Sequence, residues 1–185
     1  LRHYKLTSYE AYFKLITHKH SQIEAQLAVD LLTTNETYFF REPKHFDYLT
    51  HILLDRYKHT NDFRLWCGAS STGEEPYTLA MLLQEHLTNC NWQMIASDIN
   101  LQVLEKASAG HYPLIRAKDI PQHLLHKYCL KGGGNQQGTF LIGRHLREKI
   151  QFKKINLVEA LPMVGMFDVI FLRNVMIYFD NETRA

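Results

Sequence analysis

Two adjacent acids, Glu74 and Glu75, follow a loop of small residues in Phe63-Arg-Leu-Trp-Cys-Gly-Ala-Ser-Ser-Thr-Gly-Glu-Glu-Pro-Tyr77. The run reads as a buried strand, a turn, and a helix with Pro76 in its first turn. In an open α/β sheet, such a strand-to-helix turn is where a nucleoside ligand sits. A pyrophosphate there needs bare N–H groups and a positive helix end, which two carboxylates oppose. The Gly-x-Gly-x-x-Gly spacing of dinucleotide sites is also absent. Carboxylates at this turn suit a cationic ligand. Stabilising the helix N-terminus would account for one of the acids. The pair beside a small-residue loop favours a ligand.

Four stretches carry polar groups that a fold alone does not demand. Thr33–Glu42 places Asn35, Thr37 and Arg41 on a connector flanked by aromatics. Taken alone, Arg41 beside Phe39 and Phe40 reads as a surface ion-pair partner. Asp98 ends a second strand-like run, where a carboxylate can accept two hydrogen bonds from a ribose diol. It can also cap the helix that starts near Asn100, and both roles can hold. In Ile155-Asn156-Leu157, Asn156 can meet an adenine edge and Leu157 can pack on its face. Phe171–Phe179 puts Arg173, Asn174 and Tyr178 at the mouth of the same crevice. An adenosine-reading set beside a carboxylate turn suits S-adenosylmethionine, which carries an ammonium and a sulfonium.

These groups need elements to position them. Strands are expected at 63–67, 92–97, 150–155 and 167–172, and helices at 75–88 and 100–109. The core face of the first of these helices includes Tyr77, Ala80, Met81 and Leu87. Pro43 starts an earlier helix carrying Phe46, Leu49, Leu53 and Tyr57. Nearer the N-terminus, Ser8 caps a helix with Tyr9, Tyr12, Phe13 and Ile16 on one face. Ser21-Gln-Ile-Glu24 reads as a capping box before Ile23, Leu27 and Leu31. Arg2, Lys5, Lys14, His18, Lys19 and His20 form an ordinary solvated face. Residues 110–149 read as a helix-and-hairpin insertion, turning at Lys131-Gly-Gly-Gly-Asn135. The expected division is 1–32 as the end of an N-terminal helical domain, 33–62 as connector and first helix, and 63–185 as the α/β domain. Phe167–Leu172 is apolar enough to lie centrally in a sheet, so further strands are expected beyond it.

With 185 residues the chain can build one α/β core. A net charge of +2 gives no global field for nucleic acid. The 11 histidines are scattered without metal-ligand spacing, so no metal site is expected. Three irregularly spaced cysteines suit reduced thiols, with Cys67 a buried small residue. No apolar run approaches the ~20 residues that span a bilayer, and no secretory signal is evident. The expectation is a cytoplasmic protein that neither inserts in membranes nor binds nucleic acid.

Thr-Thr-Asn-x-Thr-x-Phe-Phe-Arg-Glu, Ser-Thr-Gly-Glu-Glu-Pro-Tyr, Ala-Ser-Asp-Ile-Asn and Arg-Asn-Val-Met-Ile-Tyr-Phe occur in that order between Thr33 and Phe179. Together they resemble chemotaxis receptor methyltransferases of the CheR family, over nearly the whole chain. The resemblance implies a Rossmann-like, S-adenosylmethionine-dependent methyltransferase sheet with a helical N-terminal segment and a small inserted β-subdomain. It implies cofactor binding by Asn35, Thr37, Arg41, Glu75, Asp98, Asn156, Leu157, Arg173 and Asn174, and a methyl-transfer site lined by Tyr178. Glu75 takes the ligand role over Glu74 by that likeness; spacing alone leaves the two open. Arg41 and Tyr178 are the expected catalytic pair.

The same resemblance implies methylation of glutamate side chains on the cytoplasmic domain of a methyl-accepting receptor, leaving S-adenosylhomocysteine. Gly132-Gly133-Gly134 matches a Gly-x-Gly loop with which some members dock the receptor's C-terminal pentapeptide. A complete protein of this kind is expected to be a monomer. Family members have a longer N-terminal helical domain with a basic helix and carry closing strands, so both are expected to be incomplete here. Two other functions compete: a non-catalytic cofactor-binding scaffold, and a dinucleotide oxidoreductase that Glu74, Glu75 and the glycine spacing disfavour.

Overall fold

The fold is taken from a computed structural model that describes residues 4–18, 21–57 and 59–184. Arg2, Lys19 and His20 of the basic N-terminal face lie outside the described residues, as does the side chain of Leu53. The chain opens with α1 (Tyr9–Ile16), α2 (Gln22–Leu32) and α3 (Lys44–Tyr48). A π-helical stretch, Leu49–Leu53, joins α3 to α4 (Leu54–Tyr57). The α/β part follows as β1 (Asp62–Gly68), α5 (Glu74–His86), β2 (Asn91–Asp98) and α6 (Leu101–Ala109). An insertion then supplies β3 (His111–Pro113), a 3-10 turn at Leu114–Asp119, α7 (Gln122–Tyr128), β4 (Cys129–Lys131), β5 (Thr139–Ile142) and α8 (Arg144–Arg147). The chain returns through β6 (Ile150–Lys154) and β7 (Val169–Leu172) to a 3-10 turn at Met176–Tyr178 and α9 (Asn181–Arg184).

The main sheet is parallel, in the order β6-β2-β1-β7. The chain moves outward from β1 through β2 to β6, then crosses to the other side of β1 for β7. That reversal between β1 and β7 is the switch point at which an open α/β sheet leaves a crevice beyond its strand ends. Residues 69–73, 99–100, 155–158 and 173–178 leave the strands on this one edge. Among the described residues β7 pairs only with β1. No helix among the described residues is long and apolar enough to cross a membrane.

The core is dense because β1 and α5 bury nearly everything they carry. Phe63, Leu65 and Cys67 of β1 and Tyr77, Ala80 and Met81 of α5 have no exposure. Burial pushes the Cys67 thiol well up, which suits packing rather than nucleophilic use. Gly73 shows why α5 begins with glycine. Its φ of +95° is left-handed, and a Cβ there would lie 2.8 Å from both the Ala107 Cβ and the Tyr112 hydroxyl.

The insertion forms a three-stranded antiparallel sheet, β3-β5-β4, rather than a single hairpin. Phe140 and Tyr112 from this sheet pack against Phe39 of the connector and join it to the main core.

The N-terminal helices depart from expectation in two ways. Ser8 caps α1 as expected, accepting from the Ala11 N–H. Ser21 makes no side-chain capping bond, its φ of −104° and ψ of 29° lying outside the extended region usual for a capping residue, and the Glu24 carboxylate accepts instead from the hydroxyls of Tyr4 and Tyr12. Tyr9, Phe13, Ile23 and Leu31 are exposed, so the apolar periodicity of α1 and α2 does not mark a buried face here.

Candidate functional site

A cleft of about 440 Å³ opens at the switch point, within the range of about 300–1,000 Å³ usual for small-molecule sites. Five chain segments wall it. The connector brings Asn35, Thr37 and Arg41, and the β1–α5 turn brings Ala69, Ser71 and Glu75. The ends of β2 and β6 bring Asp98, Asn156 and Leu157, and the segment after β7 brings Arg173, Asn174 and Tyr178. All ten residues that sequence reasoning assigned to cofactor or catalysis therefore share one cleft. Gly132, Gly133 and Gly134 do not; they form the turn between β4 and β5 on the insertion. A Cβ at Gly132 would collide with the Gln136 carbonyl oxygen, so this glycine is required by its own turn. Gly133 and Gly134 face open space.

The backbone is held in costly conformations around the cleft. Phe40, Glu42, Ala69, Ser71 and Asn174 all have φ between 47° and 57°. Non-glycine residues rarely adopt that region, and such strain clusters at ligand sites.

Glu74 and Glu75 part company. Glu74 has no exposure and does not line the cleft. It accepts from the Thr72 hydroxyl at 2.6 Å and pairs with Arg116 of the insertion at 2.9 Å. Of the two acids that spacing alone left open, only Glu75 lines the cleft, and Glu74 is an interior partner. Arg116 also donates to the Thr37 carbonyl, while the Tyr112 hydroxyl donates to the Thr72 carbonyl. The insertion thereby grips both the connector and the β1–α5 turn. Nothing in the sequence singled out Arg116 or Tyr112, because their partners are distant in the chain.

Glu75 does face the cleft and meets Arg173, whose Nη1 lies 2.7 Å from its Oε2. Arg173 also donates to the Arg41 carbonyl at 2.7 Å and pairs with Glu42 at 3.2 Å. Its guanidinium lies over the rings of Phe46 and Phe171. Glu42 in turn accepts from the Asn174 amide at 3.1 Å. Asn174 and Arg173 hold the Glu42 carboxyl below its usual range. Glu42 stood inside a quoted motif without a role; its place is to hold Arg173 and Asn174.

Burial pushes the Glu75 carboxyl up despite Arg173, and it does the same to Asp98. Asp98 is 8% exposed. Its oxygens accept from the Ser71 N–H at 2.8 Å and the Asn100 N–H at 3.0 Å. The cap of α6 is Asn100, which accepts from the Val103 N–H. The capping alternative for Asp98 is therefore replaced by a carboxylate fixed by two backbone donors. A carboxylate has about four acceptor positions, so each oxygen retains capacity for a ligand donor.

Charge at the cleft is nearly balanced. Its walls carry the carboxylates of Glu36, Glu75 and Asp98 against the guanidinium groups of Arg41 and Arg173, a difference of one negative charge. A ligand with one net positive charge complements this set. S-adenosylmethionine is such a ligand: its sulfonium and ammonium outnumber its carboxylate. Leu157, Ile155 and Phe46 add apolar wall. The residues present fit that cofactor. Among the described residues no group of three metal-ligating side chains occurs.

Residues 35–185 match the family described as CheR methyltransferase, SAM binding domain. The chain is 40% identical to chemotaxis protein methyltransferase 2 of Pseudomonas aeruginosa, over 100% of this chain and 66% of that protein. It is 37% identical to the chemotaxis protein methyltransferase of Borreliella burgdorferi, over 96% of this chain and 65% of that protein. The corresponding Escherichia coli protein is 38% identical, with 100% of this chain and 64% of that protein covered. The chain thus spans just under two thirds of the length of these relatives.

Proposed function

The chain belongs to the CheR methyltransferase family and carries its S-adenosylmethionine-binding domain, and from that premise we propose that it methylates glutamate side chains of a chemotaxis receptor. The observation that carries this reading is the meeting of ten residues from five segments in one cleft whose charge complements the cofactor. When bound, S-adenosylmethionine supplies an electrophilic methyl carbon on a sulfonium.

The residues of the chain have a limited task. A free glutamate, with a pKa near ~4.3, is ionised at neutral pH, so no side chain need act as a base. Alignment and exclusion of water then dominate. Asn35, Thr37, Asp98, Asn156, Leu157, Asn174 and the Glu75–Arg173 pair hold the cofactor. Arg41 orients the acceptor carboxylate or the cofactor's end, and Tyr178 offers a hydroxyl nearby. Arg41 is poised for this: its Nη1 donates to the Glu36 carbonyl at 2.7 Å and its guanidinium lies 5.7 Å from the Tyr38 ring centre. The reaction so read takes place in the cytoplasm, with Gly132–Gly134 docking the receptor's C-terminal pentapeptide.

Transfer of a tritiated methyl group to receptor fragments tests the activity. Base-labile label on glutamate is expected, and cofactor binding without transfer would leave a scaffold. Arg41→Ala should lower turnover by at least ~10-fold in this assay, since misplacing reacting groups is costly; wild-type turnover would remove its orienting role.

Affinity for the cofactor should also fall with pH. Burial holds the Glu75 and Asp98 carboxyls above their ordinary values, so they take up protons at a higher pH than exposed acids do. A cation-binding set weakens as it is neutralised. Calorimetry from about pH 7.5 down to about 5 should show affinity constant at first and then declining. A rise toward low pH would contradict the assignment.

A further inference from the structure

Asp98 is held by more than its two backbone donors. The Asn100 amide, 1% exposed, donates to the Thr33 hydroxyl oxygen at 2.8 Å and to the Asp30 carbonyl at 2.9 Å, while its oxygen caps α6. The Asn35 amide donates to the Thr33 carbonyl at 3.1 Å and to the same hydroxyl oxygen at 3.3 Å. The Ser71 hydroxyl donates to the Asn35 carbonyl at 3.2 Å, and the Ser71 N–H returns to Asp98. The circuit Asp98–Asn100–Thr33–Asn35–Ser71 therefore closes on itself. It joins three segments far apart in sequence: the end of α2 with the connector, the β1–α5 turn, and the β2–α6 turn.

We propose that Thr33 is a positioning residue for the nucleoside half of the ligand, its hydroxyl oxygen completing the circuit that fixes the plane of the Asp98 carboxylate. The inference rests on the cofactor reading above and extends it to a residue outside the assigned set. Thr33 is where the two arcs of the circuit meet, because its oxygen accepts from both asparagine amides. Without that oxygen, Asn100 keeps its tie to α2 and loses its tie to the connector. Asp98 would then sample orientations that no longer present both oxygens to a ribose diol.

Thr33→Val removes the hydroxyl while keeping the shape. The backbone at Thr33 is extended, with φ −75° and ψ 136°, which a β-branched residue accepts. Calorimetry on the full-length protein with S-adenosylhomocysteine should show about fivefold weaker binding by Thr33→Val, the worth of one neutral hydrogen bond. Thr33→Ser, which keeps the oxygen, should bind as wild type does. The 2′,3′-dideoxy analogue of the same compound offers no diol, so Thr33→Val should change its affinity by less than about twofold. Thr33→Ala repeats the deletion without a second methyl group should valine strain the turn.

Equal affinity of wild type and both deletions for S-adenosylhomocysteine overturns the proposal. So does equal weakening toward both compounds, which marks a general loss of structure. A wild-type protein that binds neither compound would overturn the cofactor reading itself and this inference with it.

Discussion

Arg173→Met should destabilise the protein by about 3 kcal/mol at neutral pH and weaken S-adenosylhomocysteine binding by at least ~100-fold. Methionine keeps the apolar stem against Phe46 and Phe171 but removes the contacts to Glu75, Glu42 and the Arg41 carbonyl. The side chains of Arg173 and Glu75 are only 10% and 14% exposed, so water cannot take over for the lost partner. Breaking such a pair by removing one member leaves a buried charge uncompensated.

The sign of the pH effect follows from Glu75. Burial already raises its pKa, and Arg173 is the main group opposing that rise. In the variant the folded-state pKa climbs further above the unfolded value, so the folded protein binds more protons between those two values. The destabilisation should therefore be full at neutral pH and shrink as pH falls through the raised pKa. Denaturant unfolding at about pH 7.5 and about pH 5 measures it. Glu75→Gln added to Arg173→Met should recover part of the loss. A pH-independent deficit without recovery would show that packing, not the ion pair, is what Arg173 provides.

Asp98→Asn should abolish measurable retention of the cofactor, with affinity down by about 100-fold, although the change removes only one charge. Both Asp98 oxygens accept backbone N–H groups, from Ser71 and Asn100. An amide must turn its NH₂ toward one of these donors, so a buried N–H loses its acceptor. The loss of charge-assisted bonds to the ribose adds to this. Calorimetry with S-adenosylhomocysteine, beside a thermal melt of the unliganded protein, separates the two. The amide mismatch lowers the melting temperature; the ribose contacts appear only in affinity. Near-wild-type affinity would place the ribose elsewhere in the cleft.

Much of the fold was legible because the relevant signals are local. β1 and β2 extend one residue or so beyond their expected bounds, and a hairpin, β4 with β5, turns in the insertion at the expected glycines. Tyr77, Ala80, Met81 and Leu87 are buried as the helical spacing of α5 implied. The same kind of signal misled at α2. Ser21 and Glu24 have the spacing of a capping box, but the Ser21 backbone is not extended, and two tyrosine hydroxyls reach Glu24 from α1 and from the chain before it. Spacing alone does not set the backbone angles that a reciprocal cap needs.

At the site, the motifs named the residues that gather in the cleft but not how they divide the work. Residues adjacent on a helix point about 100° apart, so only one of Glu74 and Glu75 can face a cleft on one side of α5. Which one does so depends on where the insertion packs, and Arg116 reaching Glu74 from 42 positions later belongs to no local pattern. Arg173 likewise joins groups from the connector and α5, and the Thr33 circuit closes over segments drawn from three parts of the chain. Residue order was enough to set the strands, the helix starts and the family, since these follow from short-range backbone preference and apolar periodicity. Partnership among buried charges came from packing, because a buried charge settles with whichever opposite group the assembled elements bring within hydrogen-bonding reach.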